Sequence, residues 1–223
     1  MTSDGRVMLL GFDPDEGRLI IARNNPDHAR YVVVVIPGAG SGMHNADPLF
    51  DVVDALVSKF EGDDFSVVGW ADYVAPRDSW QARDPAYAAA ATGRLASFLA
   101  GLPVTAENFG RYKKAARIVV IGLGYGGLVA GLTGREHGLA ADALVLFGCA
   151  GAGVDNAAAA RVRGPVYVTP DDPGDGTPPG AHGIRPDTPA FGATLLRPGP
   201  LTYRRDPFVR YLPSLRRIVM GTA

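Results

Sequence analysis

The stretch Arg117-Ile118-Val119-Val120-Ile121-Gly122-Leu123-Gly124-Tyr125-Gly126-Gly127 decides how this chain is read. Its first half is β-branched and apolar throughout, which predicts a strand buried on both faces. Its second half is glycine-rich and runs into an apolar stretch that predicts a helix ending near Gly138. Two kinds of site use such a strand–turn–helix. The spacing Gly122-x-Gly124-x-x-Gly127 matches the dinucleotide fingerprint, which places a pyrophosphate at the helix start and needs an acidic residue about 20 positions on. The next predicted strand ends Leu146-Phe147-Gly148-Cys149, without a carboxylate, and earlier strands precede the motif, so this reading is set aside. The other is the nucleophile elbow G-x-S-x-G, a strained turn that lifts a reactive side chain above the sheet. Gly122 and Gly126 fit its flanking positions, while Gly124 stands where the serine belongs.

Working outward, apolar runs alternate with amphipathic ones, the pattern of a mostly parallel central sheet with helices on both faces, an α/β fold. Strands are predicted at Met8–Phe12, Arg18–Ala22, Tyr31–Ile36, Phe65–Trp70, Ala143–Phe147, Val166–Thr169 and Ala193–Leu196. Asp13 to Gly17 between the first two has hairpin-turn chemistry. Helices are predicted at Pro48–Phe60, Pro85–Ala100 and Pro213–Met220, with a short one at Asn156–Ala160. Pro37 to Gly42 forms a glycine loop directly after a central strand, where this kind of fold places oxyanion-binding amides, with Ala39 or Gly40 as candidate donors. Between Pro170 and Pro189 the chain is dense in Pro, Gly and Asp, which predicts a long surface loop, with Asp171 to Pro189 the most mobile stretch. Residues 1–223 read as a single domain.

The order of short motifs resembles the actinobacterial α/β-hydrolase family long catalogued as a domain of unknown function. Its V-P-G-x-G, W-x-x-Y and G-H-S-Y-G-S motifs have counterparts at Ile36 to Gly40, Trp70 to Tyr73 and Gly122 to Gly127. Its late H-G-x-x-P and G-H-S-x-Y motifs have counterparts at His182 to Pro186 and Gly199 to Tyr203. The resemblance implies an α/β-hydrolase fold from about Met8 to Gly221. It also implies that the family's nucleophile serine is Gly124, the preceding histidine Leu123, and the late histidine Pro200. Asp172 (or Asp171), after a late strand, fits the triad acid. His182 is the remaining candidate base, although it precedes the last predicted strand. Cys149 and Ser41 are conceivable nucleophiles, but neither has an evident partner base.

These departures predict a pocket kept while serine chemistry is lost. Ala39, Gly40, Met43, His44, Trp70, Tyr73, Gly124, Tyr125 and Tyr203 are the candidate ligand-binding residues, all at predicted C-terminal strand ends. The expected function is binding of a small ligand or protein partner. The alternatives are a non-hydrolytic enzyme, catalysing cyclisation, isomerisation or elimination with Asp172 or His182, and a hydrolase with an unorthodox nucleophile. With 22 Lys and Arg against 23 Asp and Glu, no global basic field points to nucleic acid. The basic run near Tyr203, continued by Arg210, Arg216 and Arg217, is read as a solvated helix face. One cysteine excludes an internal disulfide. No apolar run is long enough to span a bilayer, no leader pattern is evident, and no metal or cofactor is expected. The expected location is the cytoplasm.

Overall fold

Tyr31–Ile36 (β3) is apolar on both faces and accordingly sits at the middle of a sheet covered on both sides. It is flanked by Phe65–Ala71 (β4) and by Arg117–Leu123 (β5), both parallel to it. The computed structural model describes residues 7–60, 62, 64–170, 177–199 and 207–223. The remaining strands among them are Val7–Asp13 (β1), Arg18–Arg23 (β2), Ala143–Phe147 (β6), Val166–Val168 (β7) and Thr194–Leu195 (β8). The described residues form one sheet in the order β1-β2-β4-β3-β5-β6-β7-β8. Pairing is antiparallel in the β1–β2 hairpin and between β2 and β4, and parallel from there on.

Alternation along the strands assigns each face its own helices. Val33, Val35, Val119, Ile121 and Val145 pack against Asp47–Phe60 (α1) and Pro207–Met220 (α5). Val32, Val34, Ile36, Val120 and Leu144 face Ala86–Ala89 (α2), Thr92–Phe109 (α3) and Tyr125–His137 (α4). In α1 the buried residues Leu49, Val53, Leu56 and Phe60 recur at helical spacing, so one stripe faces the sheet. The first turns of α4 differ, being buried on every side from Tyr125 to Gly134.

Three sequence expectations are corrected. The predicted helix Pro85–Ala100 divides after Ala89, where the Thr92 hydroxyl has two acceptors in reach, the Ala89 carbonyl at 3.0 Å and Glu136 at 2.8 Å. Its second part then continues through Pro103 to Phe109, because burial of Leu102 and Ala106 outweighs the weak helix propensity there. The last helix begins at Pro207 rather than Pro213, which lies inside it on the exposed side. The loop after β7 is not all surface: Thr177, His182 and Pro186 are buried, and residues 171–176 lie outside the described residues. The alanine run is a single 3-10 turn, Ala157–Ala160, capped by Asn156 Oδ1 on the Ala159 amide.

Candidate functional site

The turn between β5 and α4 has its apex at Gly124, with φ 49° and ψ −116°. An L-residue at this position is strained, whereas glycine adopts it without a Cβ clash. The Gly124 amide donates to Phe147 O at 2.9 Å, and its carbonyl accepts from Gly127 N at 3.0 Å. The turn is pressed closely onto its neighbours. A Cβ on Gly126 would lie 2.2 Å from Ile36 O, and one on Gly122 would lie 2.6 Å from Gly127 Cα. Gly38 brings the loop after β3 against the same turn, since its Cβ would stand 3.0 Å from Leu123 O and 3.6 Å from Tyr125 N. Within that loop the Gly40 amide is committed to Pro76 O at 2.7 Å. Of the two amides expected as donors, that of Gly40 is thus already engaged.

Beside this loop a cleft of about 470 Å³ opens at the C-terminal edge of the sheet. Of the expected residues it gathers Gly40, Met43, His44 and Tyr73. Ser41 also lines it, with Asn45, whose Nδ2 donates to Gly40 O at 2.9 Å. Asp15, Glu16 and Gly17, from the β1–β2 hairpin turn, form another wall, one that the sequence reading does not assign to the site. In the sequence this turn is marked by its hairpin chemistry and by two adjacent carboxylates before a glycine. Met43 N closes onto Gly17 O at 3.2 Å. Beneath the wall Arg18 pairs with Asp13, and its Nε lies 3.3 Å from Asp72. Burial holds the Asp72 carboxyl above its ordinary pKa, against the opposing pull of Arg94 and Arg18.

The other expected aromatics lie outside the cleft lining. Trp70 is fully buried and stacks on Tyr73 with ring centroids 6.2 Å apart. Its Nε1 has no hydrogen-bond partner among the described residues. Tyr73 donates from Oη to Pro37 O at 2.6 Å. The Tyr125 hydroxyl donates to Asp84 O at 2.5 Å and accepts from Ala88 N at 3.2 Å. Burial pushes the pKa of this phenol up. His182 meets the Tyr125 ring edge-on at 5.7 Å and places Nε2 2.7 Å from Ala82 O. Tyr125 and His182 thus form a buried junction joining α4, the turn Gln81–Arg83 and the loop after β7. Cys149 Sγ lies 3.2 Å from Gly151 O, tight against α4, where a Cβ on Gly127 would be 2.5 Å away. Asp171, Asp172, Pro200 and Tyr203 lie outside the described residues. Among the described residues no cluster of three or more His, Cys, Asp or Glu could hold a metal ion. No helix among them is long and apolar enough to cross a membrane.

Sheet order, elbow and glycine loop together predict a match to hydrolases of this architecture. A family model described as alpha/beta hydrolase matches residues 13–178. The chain belongs to this α/β-hydrolase family. A lipase/esterase from Lactobacillus plantarum, 15% identical, aligns over 97% of this chain and 98% of its own with a TM-score of 0.52, and it shares the α/β-hydrolase fold. Esterase PE8, 21% identical, covers 66% of this chain and 72% of its own with a TM-score of 0.45. Two uncharacterized proteins of Mycobacterium tuberculosis, from strains CDC 1551 / Oshkosh and H37Rv, are each 29% identical over 176 residues, 73% of this chain. The α/β-hydrolase chain spans about a quarter (26%) of the length of these relatives.

Proposed function

We propose that this α/β-hydrolase family member binds a small ligand or a partner at the elbow edge of its sheet and does not hydrolyse esters through a serine. The observation that carries the reading is Gly124 at the apex of the turn. Acyl transfer at an elbow needs a side-chain oxygen there, activated by a base and aimed at a carbonyl held by the oxyanion amides. Glycine keeps the backbone geometry and supplies no such atom. Further support comes from His182, whose Nε2 is engaged with Ala82 O, and from Pro200, which the family resemblance sets where the late histidine would stand. The cleft of Gly40, Met43, His44 and Tyr73 is the binding region, with Asp15 and Glu16 also in its lining. Its volume falls within the roughly 300–1,000 Å³ usual for small-molecule sites.

The reading is tested with a fluorophosphonate probe and short-chain p-nitrophenyl esters. No labelling, and no turnover above a heat-denatured control, are expected. Stoichiometric labelling of any serine overturns it. Binding is tested separately by NMR titration with a fragment library, where shifts at Met43, His44 and Tyr73 are expected. Hits that consistently bypass those residues would move the site elsewhere.

A further inference from the structure

At the opposite edge of the sheet, where the parallel strands begin, lies a second cleft of about 620 Å³. Strand register lines up its charged residues. Arg117 opens β5 and donates its amide to Arg30 O, just before β3, at 2.9 Å. Asp142 directly precedes β6 and Arg163 comes shortly before β7, with amides bonded to Ile118 O at 2.7 Å and Ala141 O at 3.2 Å. Neighbouring strands are about 4.8 Å apart, so the row from Arg30 to Arg163 crosses roughly 14 Å. Lys114 adds a fourth cation, while Asp142 is the lone carboxylate of the lining among the described residues.

Two of these cations are matched. Arg163 Nη2 lies 3.5 Å from Asp142, and Arg30 Nε lies 3.9 Å from Asp64 with its guanidinium 4.5 Å over the Tyr112 ring. The carboxylates are themselves committed, Asp142 to the Ile118 amide at 2.8 Å and Asp64 to the Tyr112 hydroxyl. Arg117 pairs with no carboxylate among the described residues. Its Nη2 reaches Ile218 O at 3.5 Å, and its Nε is buried with no hydrogen-bond partner among the described residues. Lys114 is exposed and has no ion pair or hydrogen bond among the described residues.

We infer that this cleft binds the di- or triphosphate group of a phosphorylated small molecule, with Arg117 and Lys114 as its principal donors. A guanidinium that lines a cleft without a carboxylate partner keeps N–H donors for an anion there. The planar guanidinium fork matches phosphate oxygens two at a time, and lysine adds a compact charge. A row of cations spread over several strand starts suits a chain of charges better than a single carboxylate. The volume again falls within the usual range for a small-molecule site. The site is on the far edge from Gly124, so it stands or falls independently of the elbow reading.

The test is isothermal titration of the full chain at about 0.15 M ionic strength, with inorganic tripolyphosphate and, separately, ATP, both without divalent metal. Saturable binding of one equivalent is expected. Arg117→Gln and Lys114→Ala should each weaken it about tenfold, the effect of losing a charge-assisted hydrogen bond. Lys114→Ala alters an exposed side chain only, so its effect is separable from any folding defect of Arg117→Gln. Arg83→Glu, at the other edge of the sheet, should leave binding unchanged. Equal affinity for the two probes assigns an inorganic phosphate chain, and tighter ATP binding assigns a nucleotide. No saturable heat with either probe up to millimolar concentration overturns the site. So does an Arg83→Glu effect as large as that of Lys114→Ala, which would mark non-specific attraction.

Discussion

Tyr73 Oη donates to Pro37 O across 2.6 Å, joining the segment after β4 to the start of the glycine loop after β3. Both residues are buried. Tyr73→Phe keeps the stack on Trp70 but leaves that carbonyl without its donor. A loss of about 1–3 kcal/mol is expected, seen as a lower urea midpoint at unchanged slope. Amide exchange in residues 38–45 should quicken with it. An unaltered midpoint would show that the bond does not hold the cleft.

Gly124→Ser is expected to give no ester hydrolysis. A hydroxyl without a base is a poor nucleophile, and triad members act as a unit. The variant should also lose roughly 1–3 kcal/mol, because a Cβ is forced onto φ 49°. The informative comparison adds Pro200→His and assays both proteins on p-nitrophenyl acetate. Esterase-like rates in the single variant would mean that a histidine already stands in register, His182 being the first to examine.

Glycines in two settings should respond with opposite signs. Gly126→Ala brings a Cβ to within 2.2 Å of Ile36 O and 2.7 Å of Pro37 O, both rigid backbone. Overpacking of this kind costs about 1–3 kcal/mol, which for a domain of this size is a fall in Tm of roughly 2–12 °C. Gly93 and Gly101, inside α3, have nothing within 4 Å of a built Cβ. Alanine at either should stabilise by about 0.4–1 kcal/mol. Differential scanning calorimetry of the three variants decides the matter, and equal shifts would contradict the packing described at the elbow.

Tyr125 predicts a decline at alkaline pH. Its phenol is held protonated by burial, above the ordinary value of 10.0. Beyond that pH the unfolded chain releases a proton that the folded chain keeps, so stability falls as pH rises. Urea midpoints measured from about pH 9 to about pH 11 should drop in the parent. The drop should be shallower in Tyr125→Phe, even though that variant starts from lower stability. Identical slopes would show that Tyr125 ionises freely in the folded protein.

His182→Ala removes the contact with Ala82 O and the edge packing on Tyr125. Hydrogen exchange should speed up in residues 82–91 while β5 stays protected. Unchanged exchange there would argue against a structural role for the ring.

Much of this architecture is legible in the sequence because strand signals are local. The apolar run Tyr31–Ile36 and the hairpin around Asp13 to Gly17 place themselves by composition. So does the elbow, since Gly122 and Gly126 sit at fixed offsets from the end of β5. Helix limits fared worse. The break after Ala89 lies beside a contact from Thr92 to Glu136, 44 residues on, and Pro213 reads as a start because the burial of Phe208 and Tyr211 is a tertiary fact.

The site divides the same way. Gly40, Met43 and His44 follow a central strand and come to the cleft with it. Tyr125 also follows a strand, yet its hydroxyl is bound to Asp84 O, a partner that no spacing rule names. Asp15 and Glu16 enter the cleft only because β2 pairs with β4, which carries the hairpin turn alongside the loop beginning at Tyr73.

The backbone at Gly124 also bears on the order in which substitutions can accumulate. A glycine codon can be a single base change from a serine codon, so a hydroxyl at this position is genetically near. Conformationally it is distant, because the strain of about 1–3 kcal/mol is a large share of the roughly 5–15 kcal/mol that holds a domain folded. A lineage that acquires serine at 124 should therefore have gained a stabilising change first, and reconstructed intermediates should show the two in that order.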